Sequence, residues 1–203
     1  MDRRLFFATG AATLASMSAP AAMNNLGGYR RRAFVAQPHL VQQQCPLWCW
    51  AASISMIFKT YGYDVPQQKI VQETFGSVVC VASGNPVTIA RDLSRDWTDS
   101  GGNSFTSQVT AAYDAWNGIN TLDNRFIVSQ LANDKPLLYC NTHHAMVLVA
   151  VDFFDTPGEP NVVAAGVLDP FPGNAGFHAL SPPELRAAQM GGQMTFLAAV
   201  DVS

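Results

Sequence analysis

Cys49 stands between Trp48 and Trp50 in the stretch Gln43-Gln44-Cys45-Pro46-Leu47-Trp48-Cys49-Trp50-Ala51-Ala52, where a proline-containing loop gives way to an apolar run. A cysteine at a helix start suits nucleophilic chemistry. The free N–H groups of the first turn, with the positive end of the helix dipole, stabilise a thiolate. That lowers the thiol pKa and raises the fraction of nucleophile at neutral pH. Gln43, six positions upstream, brings a side-chain amide able to donate to a developing oxyanion, and Gln42 and Gln44 flank it. A thiol nucleophile also needs a base for its proton, and that base needs an orienting group. The chain has 4 histidines, His39, His143, His144 and His178. His39 precedes the nucleophile loop and His178 falls in a glycine-rich turn region, whereas His143-His144 opens a long apolar strand. Neighbours on a strand point to opposite faces, and both faces are apolar here, so alternation does not choose between these two.

The orienting acid follows from hairpin geometry. If the strand that starts at His144 folds back antiparallel on the strand ending at Leu168, its turn falls near residue 156. Asp155-Thr156-Pro157-Gly158-Glu159-Pro160-Asn161 is the strongest loop signal in that region. The hairpin returns Asp169 to the neighbourhood of His144. Asp152 lies eight residues along the same strand, roughly 26 Å from His144, too far for a hydrogen bond.

These residues must be carried by elements legible in the chain. Ala51, Ala52, Ile54, Ile57, Phe58 and Tyr61 are spaced for a buried helix face, ended by Gly62. Residues 66–76 read as a second helix, with Pro66 in its first turn and Gly76 past its end. Asn85 caps a third helix expected to run from Pro86 to Trp97. Asp99 to Asn103 is a loop, expected to divide two subdomains. Beyond it the chain turns strand-rich: Phe105–Tyr113, Leu137–Cys140, Ala145–Asp152, Val162–Leu168 and Thr195–Val202. Helices are expected at 123–133 and from Ser181-Pro182-Pro183-Glu184. A helical front half and a strand-rich back half define an α+β domain.

Glutamine, five residues, then cysteine, an aromatic and small residues is the nucleophile pattern of papain-like cysteine peptidases. Gln43 and Cys49-Trp50-Ala51-Ala52 resemble it. With Trp48 ahead of Cys49, the variant is similar to bacterial members: secreted effector peptidases and the leader-cleaving peptidase domains of bacteriocin exporters. Pro46, Leu47 and Trp48 replace the glycine and serine usual in that loop. His144-Ala145-Met146-Val147-Leu148-Val149 resembles the family's histidine strand, which selects His144 over His143. Asp169-Pro170 resembles the Asp-Pro of exporter-type members, where papain carries asparagine. The resemblance implies a two-lobed papain-like fold, with a helical N-terminal lobe, an antiparallel β-sheet C-terminal lobe and the site between them. It implies Cys49, His144 and Asp169 as a triad that hydrolyses peptide bonds through a thioester, with Gln43 and the Cys49 N–H on the oxyanion. The substrate is then a protein or peptide, and no metal or organic cofactor is needed. Family members often tie the cysteine before the nucleophile to one after the central helix, which implies a Cys45–Cys80 disulfide. Cys140 is left as a buried thiol, and Trp48 and Trp50 as packing residues that wall the cleft.

A chain of 203 residues has length for one domain with a respectable core. The net charge of −3 offers no basic surface to nucleic acid or anionic membrane. Met1-Asp2-Arg3-Arg4-Leu5-Phe6-Phe7, an Ala/Gly/Thr-rich run and Ala19-Pro20-Ala21-Ala22 describe an export signal over residues 1–22. Arg3-Arg4 followed by Phe6 is similar to a twin-arginine signal. Residues 23–40 read as an extended lead-in with Arg30-Arg31-Arg32 as solvated linker, and 41–203 as the peptidase domain. The expectation is a periplasmic or secreted monomer, with no stable membrane insertion once the signal is removed. The same triad also serves amidases, deamidases and transglutaminase-like acyl transferases. Two other classes compete: a catalytically inactive binding protein, and a metal module built from Cys140-x-x-His143 with Cys45 and Cys49.

Overall fold

The computed structural model describes residues 29–203, so the export signal expected at 1–22 lies outside the described residues. In chain order the elements are β1 (Arg30–Phe34), α1 (Cys49–Thr60), α2 (Gln67–Phe75), α3 (Pro86–Asp92), β2 (Asp96–Thr98), β3 (Ser104–Asp114) and β4 (Ile119–Asn120). They continue with α4 (Asn124–Ala132), β5 (Leu137–Asn141), β6 (Ala145–Phe154), β7 (Asn161–Asp169), β8 (Gly176–Ala179), α5 (Pro182–Leu185), a 3-10 turn at Ala188–Met190, and β9 (Met194–Val202). The domain is mixed α and β, with one large antiparallel sheet. Among the described residues no helix is long and apolar enough to cross a membrane.

α1 is buried all the way from Trp50 to Phe58, so it is the helix around which the others pack. Lys59 in its last turn favours the negative end of the dipole. Gly62, at φ +94°, then carries the chain away in a conformation that side chains resist. Pro66 is the N-cap residue of α2 rather than a first-turn residue, and left-handed Gly76 ends that helix. Asn85 caps α3 by accepting from the Thr88 N–H.

α3 stops at Asp92, short of the expected Trp97. The Trp97 indole donates to the Asp92 carbonyl at 2.9 Å, folding the chain back on the helix end. Residues 96–98 then pair with β3. The intervening Asp99–Asn103 segment is the turn of that hairpin. The Asp99 carboxylate accepts from the N–H groups of Gly101 and Asn103, both at 2.8 Å.

The strands run in the order β2-β3-β9-β5-β6-β7-β8, with β4 on β3 and β1 on β6. The last strand in sequence therefore lies near the middle of the sheet. β6 and β7 form the expected hairpin, with Phe154 opposite Asn161 and Val147 opposite Leu168. The three arginines of the lead-in are sheet rather than linker. β1 pairs with β6, setting Arg32 opposite Asp152. Arg32 Nε and Arg30 Nη2 each reach the Asp152 carboxylate at 2.6 Å. One acid buried at 6% exposure thus holds two guanidinium groups, and they keep its carboxyl below the usual carboxylate range. The sequence reading missed this because alternating arginines look solvated until an acid is placed across the strand.

Asp152→Ala releases two half-exposed arginines into water, so the loss is modest, about 1 kcal/mol. The depressed carboxyl pKa means this stabilisation is present above the unfolded-state pKa of Asp and fades as pH falls through the folded-state value. The thermal midpoints of Asp152→Ala and wild type are therefore expected to differ at neutral pH and converge in strong acid. Equal midpoints at pH 7 contradict the assignment.

Candidate active site

Cys49 is the first residue of α1, after Trp48 as N-cap. The chain approaches it through a tight turn in which the Trp48 N–H donates to the Cys45 carbonyl at 3.0 Å. Two indoles fix that turn from the far side. Trp48 Nε1 donates to the Val79 carbonyl at 2.8 Å and Trp50 Nε1 to the Val81 carbonyl at 3.2 Å. Between those carbonyls sits Cys80, bonded to Cys45 across a Cα–Cα distance of 5.9 Å. The tryptophans are thus more than packing: with the disulfide they strap residues 79–81 across the start of the helix.

His144 emerges from a four-residue turn between β5 and β6. Asn141 begins it and accepts, at its side-chain oxygen, the N–H groups of His143 at 2.9 Å and His144 at 2.8 Å. Asn141 N–H donates to the His144 carbonyl at 3.0 Å, closing the turn. His143 points into solvent, while His144 is half-buried. The imidazole Nε2 meets Asp169 Oδ1 at 2.6 Å, which leaves Nδ1 for the thiol. Asp169 ends β7 at 6% exposure, and the same Oδ1 accepts the Phe171 N–H at 2.8 Å. The Phe171 ring stands edge-on to the imidazole, 6.4 Å between centroids.

The electrostatics follow from these contacts. Burial pushes the Cys49 thiol up. The hydrogen bond to His144, the backbone N–H groups of Ala145 and Trp50, and the charge of the imidazolium outweigh that, leaving the thiol below its ordinary range. For His144, burial disfavours the charged ring. Hydrogen bonds to Cys49 and Asp169 and the pull of both anions reverse the balance, raising the imidazole above its ordinary 6.5. The two shifts are complementary, and together they favour a thiolate–imidazolium pair. Cys140 on β5 behaves oppositely. Its complete burial, then the nearby charges of Cys49 and Asp114, push its thiol far up.

Gln43 lies buried beneath the nucleophile loop at 5% exposure. Its Nε2 donates to the Cys45 carbonyl at 3.1 Å and the Pro46 carbonyl at 2.9 Å. Two acceptor carbonyls fix the orientation of the amide, and its Oε1 has no partner. Both amide hydrogens therefore hold the loop, and one must be released before Gln43 can serve an oxyanion. Its backbone N–H donates to the Pro170 carbonyl at 2.8 Å, tying the nucleophile loop to the residue after Asp169.

The disulfide removes Cys45 from the ligand set of the metal-module reading, and His143 is exposed. His178 lies on β8 rather than in a turn, its Nδ1 3.9 Å from Asp169 Oδ2. Asn141 and the Val79–Val81 strap were not singled out in the sequence. Asn two positions ahead of a histidine pair was the available signal for the first. Nothing local announced the second.

No protein-family model matches the chain, and no curated protein matches it. Among solved structures the chain is similar to a double glycine motif protease from an AMS/PCAT transporter in complex with the leader peptide. The TM-score is 0.46 and the identity 16%, over 82% of this chain and 93% of that chain.

Two outcomes are expected. In the native protein at pH 6, iodoacetamide labels Cys49 and spares Cys140, and His144→Ala slows that labelling by about tenfold or more. Peptide mapping of the adduct checks this, and labelling of Cys140 in place of Cys49 contradicts it. The Cys45–Cys80 bond closes a loop with a sequence separation of 35. Loop-closure entropy then makes the paired Cys45→Ser, Cys80→Ser variant about 3–4 kcal/mol less stable, read from its urea midpoint.

Proposed function

We propose that this protein is a papain-like cysteine peptidase that hydrolyses peptide bonds in protein or peptide chains through a Cys49–His144–Asp169 triad. The observation that carries the reading is the His144 imidazole, bonded through Nε2 to the Asp169 carboxylate and near enough to the Cys49 thiol that both titrations are displaced toward a thiolate–imidazolium pair. The two-lobed papain-like layout and the catalytic assignment of residues 41–203 belong to the same reading.

The Cys49 thiolate attacks the carbonyl carbon of the scissile amide, and the carbonyl π electrons move onto oxygen. The backbone N–H of Cys49, free at the helix start, donates to that oxyanion, joined by Gln43 once an amide hydrogen leaves a loop carbonyl. His144 passes its proton to the amine nitrogen as the C–N bond breaks, leaving a thioester on Cys49. Water then gives a proton to His144 while adding to the thioester, and collapse returns the thiolate and releases the acid. Asp169 holds the ring so that Nδ1 faces sulfur throughout, and stabilises its charge. We assign the protein to the periplasm or the extracellular space, since the expected export signal and the Cys45–Cys80 bond both belong to an oxidising compartment.

The test is a peptide library digested with the protein lacking residues 1–22 and read by mass spectrometry. Cleavage is expected for wild type and absent for Cys49→Ala, with Asp169→Ala lowering kcat by about a hundredfold or more. The rate is expected to plateau between an acid limb below the ordinary thiol range and an alkaline limb above 6.5. Side-chain deamidation or acyl transfer without chain cleavage turns the assignment to an amidase or transferase. Equal cleavage by Cys49→Ala ends it.

A further inference from the structure

We propose that His178 is a positioning residue for the triad, holding the second oxygen of Asp169 so that the first stays on His144. The inference rests on the peptidase reading, because it concerns the same carboxylate.

Asp169 offers two oxygens. Oδ1 is occupied by His144 Nε2 at 2.6 Å and the Phe171 N–H at 2.8 Å. Oδ2 faces His178 Nδ1 at 3.9 Å. The placement comes from sheet register. β7 and β8 are antiparallel, with Val167 opposite His178 and Asp169 opposite Gly176. Residues two apart on a strand share a face, so His178 is the diagonal neighbour of Asp169 on its own face. Gly176, directly across, has no side chain to stand between them.

His178 Nδ1 is shielded from solvent and has no hydrogen-bond partner. A buried ring nitrogen left unpaired is costly, and Oδ2 is the facing acceptor. The gap is about 1 Å longer than a hydrogen bond, one that a rotation of the imidazole or the carboxylate closes in the free protein. Three charged or titratable groups bear on His178: Asp169 from β7, His144 beyond that carboxylate, and Glu184 of α5, whose carboxyl His178 helps to hold down. The acid facing Nδ1 is Asp169, and it favours an Nδ1–H directed at Oδ2. Without that second contact, the carboxylate is free to turn about χ2 and slacken its hold on His144. The imidazolium is then less stabilised, and so is the thiolate paired with it.

The test needs no substrate. The rate of Cys49 alkylation by iodoacetamide is followed from pH 4 to 9 in the protein lacking residues 1–22, for wild type, His178→Phe, His178→Ala and His178→Gln. Melting curves run alongside establish which variants are folded. Phe keeps the ring's bulk without a donor, Ala removes both, and Gln keeps a donor. The acid limb is expected to move up by about half a pH unit in the Phe and Ala variants and to stay near wild type in the Gln variant. An unmoved limb in either donor-free variant that folds overturns the proposal. So does an equal shift in the Gln variant, which would make ring charge rather than donation the cause. A wild-type thiol titrating in the ordinary range brings down the peptidase reading, and the role of His178 with it. That outcome is visible before any variant is compared.

Discussion

One imidazole serves two acids of different kinds, and the architecture around the site exists to keep it between them. His144 must present Nε2 to a carboxylate and Nδ1 to a sulfur, and the ring is too small to adjust if either partner drifts. The helix that carries sulfur and the hairpin that carries carboxylate are separate elements. Their relative position has to be set by packing. α1 is buried along most of its length and rests on the sheet through its apolar side chains. Cores of that density resist displacement. The Asp169 loop is joined directly to the nucleophile loop by the Gln43 N–H on the Pro170 carbonyl, so a single backbone hydrogen bond ties the two segments together.

The nucleophile loop itself is held by bonds of unequal kinds that act in different directions. The Gln43 amide gathers the Cys45 and Pro46 carbonyls from below. The Trp48 and Trp50 indoles and the Cys45–Cys80 bond pull residues 79–81 against it from the side. The amide and the indoles use polar atoms that would be unsatisfied if the loop moved, and the disulfide tethers it covalently, which makes displacement cost more than the loss of apolar contact alone. Leu47, Val78 and Val79 remain exposed in this region. They present apolar surface on a loop that these bonds hold in place.

Much of this was legible in the sequence because the signals were local. A thiol at a loop-to-helix junction, a histidine pair at a strand start and a proline-glycine loop between two apolar runs each declare themselves within about ten residues. The β6–β7 hairpin could even be folded on paper to bring Asp169 back to His144. What failed was of longer range. α3 was drawn past Asp92 because Leu93 and Trp97 continue a helical apolar spacing, while Trp97 in fact turns back to cap that helix. Arg30 and Arg32 were read as solvated because their partner, Asp152, lies 122 and 120 positions away. His178 was set aside for the same reason: two residues of β8 become neighbours of Asp169 only through strand register. Tertiary partners of polar residues are what a single sequence conceals best.

The fates of the four cysteines show how one domain can use the same side chain in three incompatible ways. Cys45 and Cys80 are joined, so neither titrates. Cys140 lies close enough to Cys49 to feel its charge, and with identical surroundings the two would compete for the proton and for any electrophile. Their surroundings separate them. Cys140 sits on β5 with hydrocarbon around it and no base, so its ionisation is suppressed. Cys49 is only partly buried and has gained an imidazole and backbone N–H groups, including one at the helix start. Desolvation opposes the anion in both cases; what differs is whether the lost hydration is replaced. Where it is replaced by oriented dipoles and a cation, the thiolate becomes more accessible than in water, and where it is not, the thiol is inert. The difference between the two thiols therefore lies in the placement of His144 rather than in the sulfur, which is why the restraints on that one ring, from Asn141 behind it and Asp169 beside it, bear on the ionisation of Cys49.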